Sequence, residues 1–240
     1  MNKVFYQCGG SGTALVLLHG WGFDHQIWNN IRPDLETHFT VYCPDLPGHG
    51  RTPPMSAKEF FYTLQTFLPT SYTLLGWSLG GVYAMKFACL YPQKVMKLIN
   101  VATSPYFLLE EGWPGIHTSV FTRFYQRYLR NPKQTIKEFI QVQTQHSVTN
   151  INIDFPEMGI DLESGLSVLR EWDLRKELAE LNRPVYFLLG KRDSIVPAGL
   201  ADTLSKQYPD FYVKLWPRAA HMPFLSHQKE FINYIREVAL

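Results

Sequence analysis

No run in the 240-residue chain approaches the roughly 18 consecutive apolar residues that cross a bilayer. The N-terminus, MNKVFYQCGGSG, holds no apolar stretch of signal-peptide length. Neither membrane insertion nor export is expected, and the cytoplasm is the default compartment. Cysteine is scarce and odd in number. Cys8, Cys43 and Cys89 stand at unrelated spacings, which argues for free thiols in a reducing compartment rather than a disulfide framework. Cys43 and Cys89 lie in apolar runs and read as core rather than as nucleophiles. The formal charge of +2 is too small to argue for nucleic acid, and there is no basic stripe interleaved with aromatics and no zinc-finger spacing. H-E-x-x-H and comparable ligand clusters are missing, so no metal is expected. With no G-x-G-x-x-G after a strand and no P-loop, no nucleotide or other cofactor is expected either. Gly9-Gly10-Ser11-Gly12 precedes a strand rather than a helix and reads as a flexible turn. Repeats and low-complexity segments are also lacking.

What is present is ordinary for one globular domain spanning 1–240: 45% hydrophobic and 18% charged residues, enough to build a core without staples. A monomer is expected. Short apolar runs predict strands at 4–7, 14–18, 40–43, 72–75, 97–101, 185–189 and 212–215. Several are continuously apolar rather than alternating, the pattern of strands covered on both faces of a parallel sheet. Helical patterns fall between them, at 27–35, 57–67, 79–91, 199–207 and 229–238. Strand–helix alternation of this kind predicts a mostly parallel, doubly wound α/β fold. One stretch breaks it. From about 104 to 173 the patterns are helical, with amphipathic, aromatic-rich candidates at 121–129 and 135–143 and a third at 162–169. Read as an insertion, this is a helical cap on a core of about 1–103 and 174–240. Plain connecting helices are the alternative.

The strongest chemical signal is Gly76-Trp77-Ser78-Leu79-Gly80, directly after an apolar run and opening a helical pattern. This is G-x-S-x-G in its strand–turn–helix context. The turn is so tight that a β-carbon at Gly76 or Gly80 would collide with its neighbours. It leaves Ser78 at a helix N-terminus, where free N–H groups favour negative charge. A serine hydroxyl needs a base in reach, and on this fold the chain order is nucleophile, acid, base. Two later strands supply candidates in that order. Gly190-Lys-Arg-Asp193 follows 185–189, and Trp216-Pro-Arg-Ala-Ala-His221 follows 212–215. His221 is expected to relay the proton and Asp193 to orient the imidazole. His25, His38, His117, His146 and His227 lack a matching position after a strand. Asp45, in Asp45-Leu-Pro-Gly-His-Gly50, is the rival acid but looks like a turn residue. Oxyanion donors are expected from the backbone of Leu79 and of Trp21, the latter in His19-Gly20-Trp21-Gly22 after the strand at 14–18. His19 reads as a brace for that loop.

The segments LLHGWGFDHQIW, DLPGHGRT, LLGWSLGG, ATSP with EGWPGI, LGKRDSIVP and AAHMPFLSHQKEF together resemble the BioH family of pimeloyl-acyl-carrier-protein methyl ester esterases over nearly the whole chain. HGWG and GWSLGG alone mark only α/β-hydrolases in general. The resemblance implies an α/β-hydrolase fold and a serine carboxylesterase of biotin synthesis. It implies Ser78, Asp193 and His221 as the triad, and substrate and oxyanion contacts at Trp21 and Leu79. A substrate channel would be lined by Phe139, Ile140, Gln141, Val142 and Gln143, and an acyl-carrier protein would be the partner bearing the substrate. The cap departs from the family pattern. Positions matching the family's carrier-contacting arginines are Gln134 and Glu138, with no arginine between Gln143 and Ile160. Instead, Arg123, Arg127, Arg130, Lys133 and Lys137 lie in a span without acidic residues from Trp113 to Lys137, a candidate dock for an acidic carrier protein. A promiscuous short-chain esterase or thioesterase acting on small-molecule esters is the alternative reading, and a non-catalytic binding protein the more distant one.

Overall fold

The computed structural model describes residues 4–144 and 161–240. The part of the cap expectation falling on 145–160 lies outside the described residues. Seven strands form one sheet: β1 Tyr6–Gly10, β2 Thr13–Leu18, β3 Phe39–Pro44, β4 Tyr72–Trp77, β5 Val95–Val101, β6 Val185–Gly190 and β7 Tyr212–Trp216. Their spatial order is β1-β3-β2-β4-β5-β6-β7. β1 runs antiparallel to β3, and every other pairing is parallel. The parallel strands therefore end on a common edge, which is where open α/β sheets carry their chemistry. β4 is buried throughout and its neighbours over most of their length, as at Leu15–Leu18, Leu98 and Ile99, in keeping with their continuously apolar runs.

Among the described residues, ten helices cover the sheet and extend from it: α1 Arg32–Glu36, α2 Ala57–Phe67, α3 Leu79–Leu90, α4 Thr118–Arg130, α5 Pro132–Thr144, α6 Glu163–Glu171, α7 Arg175–Ala179, α8 Leu200–Gln207, α9 Pro223–Ser226 and α10 Gln228–Ala239. α3 is apolar except at Lys86, which pairs with Glu177, and is buried over most of its length, as a helix in the middle of a core must be. Two expectations need correction. The helix at 27–35 is broken into a 3-10 turn, His25–Trp28, and the short α1. A continuous helix would run the Pro33 ring into the carbonyl of Asn29 and leave that carbonyl without its N–H. Gly9 and Gly10 are not turn residues. They extend β1, paired with Val41 and Thr40.

The long excursion after β5 leaves and rejoins the core at adjoining points. The Leu174 N–H donates to the carbonyl of Pro105 at 2.9 Å. The Arg175 guanidinium pairs with Glu110 at 2.6 Å and Asp173 at 2.7 Å and stacks on Tyr106 and Trp113. Within it, α4, α5 and α6 carry the aromatic and aliphatic side chains predicted for this stretch. Among the described residues it holds isolated bridges but no strand.

Candidate active site

β4 delivers Ser78 through a turn that few residues adopt, with φ 54° and ψ −119°. This conformation costs on the order of 1–3 kcal/mol and is held at both backbone groups. The N–H donates to the Val101 carbonyl at 3.0 Å. The carbonyl accepts from the Gly81 N–H at 2.9 Å and the Thr103 hydroxyl at 2.7 Å. A β-carbon at Gly76 would lie 2.3 Å from the carbonyl oxygen of Gly80, and one at Gly80 would lie 2.3 Å from that of Leu18. The glycines of the motif are there for space.

Asp193 follows β6 and His221 follows β7, and the structure brings them together. His221 Nδ1 lies 2.8 Å from Asp193 Oδ2, both side chains buried. The other carboxylate oxygen accepts from the N–H groups of Ile195, at 2.8 Å, and Val196, at 3.0 Å. The acid is thus fully committed and cannot turn away. A proton on Nδ1 leaves Nε2 as the basic nitrogen. Nε2 is buried and has no hydrogen-bond partner among the described residues. The expected relay is half formed: the acid–imidazole bond is made, and no hydrogen bond joins His221 to the Ser78 hydroxyl, a step that often tightens only with substrate bound. Two ties hold the base loop in place, neither of them foreseen from the sequence. The indole N–H of Trp77 donates to the His221 carbonyl at 2.8 Å, and the Arg192 N–H donates to that of Ala219 at 2.9 Å.

Trp21 and Leu79 flank the elbow. Among the described residues, neither backbone N–H donates to any acceptor, as oxyanion donors require. The indole of Trp21 is fixed separately, donating to the Leu162 carbonyl at 2.8 Å. His19 braces the loop as expected. Its Nδ1 faces the Gly20 carbonyl at 2.9 Å, its Nε2 accepts from the Leu46 N–H at 2.9 Å, and burial lowers its pKa despite the Asp45 anion nearby. Asp45 is no rival to Asp193. It accepts from the ring and backbone of His25 and from the Arg51 N–H. Burial pushes its pKa up, but these bonds outweigh it and hold the carboxyl low. All three thiols titrate above the ordinary value, burial being the largest cause in each; an activated cysteine requires the opposite.

Beside Ser78 lies an apolar cavity of about 180 Å³. Trp21, Phe107, Phe121, Phe124, Phe139 and Leu166 are among its walls, and Ser78 and Ser194 are the only polar residues among the described lining. Of the predicted channel residues, Phe139 lines it. Ile140 and Gln143 are buried, Gln141 is exposed, and the side chain of Val142 lies outside the described ones. Phe107, Ile116, Ser194 and Ile195 were not anticipated, since they sit in loops without periodicity. A wider groove of about 490 Å³ between β7 and α10 holds no triad member. On α4 and α5, Arg123, Arg127, Arg130, Lys133 and Lys137 are all exposed. Arg127 is paired with Glu138, which also accepts from Gln134.

Fold and site together define a serine hydrolase of the α/β-hydrolase class. The Alpha/beta hydrolase family matches residues 15–233. The chain is 41% identical to the pimeloyl-acyl-carrier protein methyl ester esterase of Legionella pneumophila (strain Corby), with 95% of each chain covered. It is 35% identical to the protein of the same name from Citrobacter koseri, with 96% of each covered. An esterase from Exiguobacterium antarcticum superposes with a TM-score of 0.87 at 20% identity, covering 98% of this chain and 94% of that one, a likeness of fold. The chain belongs to the pimeloyl-acyl-carrier protein methyl ester esterases of the alpha/beta hydrolase family.

Proposed function

We propose that this protein is a serine carboxylesterase that hydrolyses the methyl ester of pimeloyl-acyl-carrier protein, releasing methanol and the free carboxylate, in biotin synthesis. The observation that carries the chemistry is the buried Asp193–His221 pair at 2.8 Å, set on the same sheet edge as a serine at positive φ. Ser78 Oγ attacks the ester carbonyl as its proton passes to His221 Nε2. The N–H groups of Trp21 and Leu79 receive the oxyanion of the tetrahedral adduct. The adduct collapses, the C–O bond to the methoxy group breaks, and the proton on Nε2 leaves with methanol. Water then gives a proton to Nε2 and its oxygen to the acyl-serine carbon, regenerating Ser78 and leaving the carboxylate. Asp193 keeps the imidazole in the tautomer this cycle needs.

The apolar cavity supports a medium-length acyl chain, each buried CH₂ contributing roughly 0.8 kcal/mol. The described residues of about 104–173 act as a cap over it, with Phe139 of the 139–143 stretch in the wall. The carrier protein docks on the exposed cations of α4 and α5. Arg123, Arg130, Lys133 and Lys137 supply the field, and Arg127 contributes less because Glu138 neutralises it. The enzyme acts as a cytoplasmic monomer. No described helix is long and apolar enough to cross a membrane. The test has two arms. Ser78→Ala abolishes methanol release with the fold intact, and substantial residual turnover removes the mechanism. The wild type prefers methyl pimeloyl-carrier protein to free methyl and p-nitrophenyl esters, and equal rates favour a general esterase.

A further inference from the structure

Gly165 sits in the first turn of α6, buried. Its φ is not among the positive values that call for glycine, and glycine is the poorest helix former after proline. Nothing in the backbone requires it there, so the requirement is space. A β-carbon at this position would lie 2.9 Å from Leu79 Cδ2, 3.0 Å from Trp21 Cδ1 and 3.4 Å from His49 Cε1. Leu79 and Trp21 are the two residues whose backbone N–H groups face the oxyanion in the mechanism above. Trp21 has little freedom to yield. Its indole N–H is bonded to Leu162, just ahead of α6, at 2.8 Å, and its ring meets those of Phe124, Tyr128 and Phe139 edge-on at 5.2–5.6 Å. A displacement of the ring therefore passes to the Trp21 backbone.

We propose that Gly165 is a positioning residue for the oxyanion hole: its missing side chain lets α6 seat directly on Trp21 and Leu79, and the Leu162 carbonyl locks that seating through the indole. This rests on the assignment of the two N–H donors. Loss of a whole donor lowers kcat by about 100- to 1,000-fold, and Gly165→Ala, a partial displacement, is expected to lower it about tenfold or more with KM within about twofold. Affinity for a trifluoromethyl ketone, whose adduct carries the oxyanion, falls by the same factor as kcat, while affinity for the carboxylate product is kept. Gly165→Ala combined with Leu79→Ala, which retains the residue-79 N–H, relieves the 2.9 Å contact but leaves the one with Trp21, and so recovers part of the lost kcat. Trp21→Phe keeps every backbone N–H, removes the indole bond to Leu162 together with part of the ring packing, and moves kcat in the same direction even if the Gly165 variant folds poorly. Unchanged kcat in Gly165→Ala, a rise in KM alone, or no recovery in the double variant overturns the proposal. A wild-type enzyme that binds the trifluoromethyl ketone no tighter than the matching methyl ketone instead overturns the donor assignment itself.

Discussion

Two hydrogen-bonded buried aspartate–histidine pairs lie among the described residues, and their contacts are nearly the same. Asp193 meets His221 Nδ1 at 2.8 Å, and Asp45 meets His25 Nδ1 at 2.7 Å. In both, backbone N–H groups use up the rest of the carboxylate. The difference lies beyond the acid. Asp45 binds His25 by ring and backbone alike and ties in Arg51, so the pair closes the loop between β3 and α2, with the His25 ring against Phe5 at 4.9 Å. Asp193 binds His221 by the ring alone, and the far nitrogen stays buried without a partner on the edge that carries Ser78. A carboxylate–imidazole contact is therefore no mark of catalysis by itself. The second nitrogen decides.

Four changes test that contrast, from the largest effect to the smallest. Asp193→Asn is expected to lower kcat by about 10⁴-fold with the melting temperature little changed, because the amide favours the wrong tautomer. Asp45→Asn should do the reverse, costing about 3–5 kcal/mol in denaturant unfolding while kcat per folded molecule survives; comparable kcat losses in the two variants would erase the distinction. Another buried histidine, His49, has no hydrogen-bonded carboxylate. Its Nδ1 faces the Pro47 carbonyl at 2.8 Å, and burial pushes its pKa down to about 3. It stays neutral when folded but protonates near 6.5 when unfolded. Its contribution is complete above that value and is lost as pH falls, by about 1.4 kcal/mol per unit, hence about 2–3 kcal/mol by pH 4.5. Unfolding titrations should show this loss in the wild type and its absence in His49→Phe. Trp77→Phe removes the hydrogen bond to the His221 carbonyl and part of a fully buried ring, and about 2 kcal/mol of stability should go with it, read as a fall in melting temperature.

The triad was legible because each member stands a few residues past an apolar run, and parallel strands share an edge. The sheet was legible for the same reason: buried strands such as Leu15–Leu18 show their burial as unbroken apolarity. The His25–Asp45 pair was not, since its members are 20 residues apart in loops with no period to relate them. The cavity wall was only partly visible. Phe121 and Phe124 announce themselves by helical spacing, but Phe107, Ile116 and Ile195 reach the cavity from irregular segments. Helix breaks also escaped, although Pro33 was there to be weighed. α7 and α9, of five and four residues, are too short to build a periodic signal.

The residue just before the nucleophile has a consequence for how the enzyme wears out. The Trp77 indole grips the main chain of His221 while its own carbonyl side runs straight into the strained turn, so one dipeptide presents the hydroxyl and tethers the imidazole. Thermal drift in that strand end moves both reactive groups in concert. Gradual heating should preserve their mutual alignment until the strand itself lets go, giving activity that ends abruptly rather than fading.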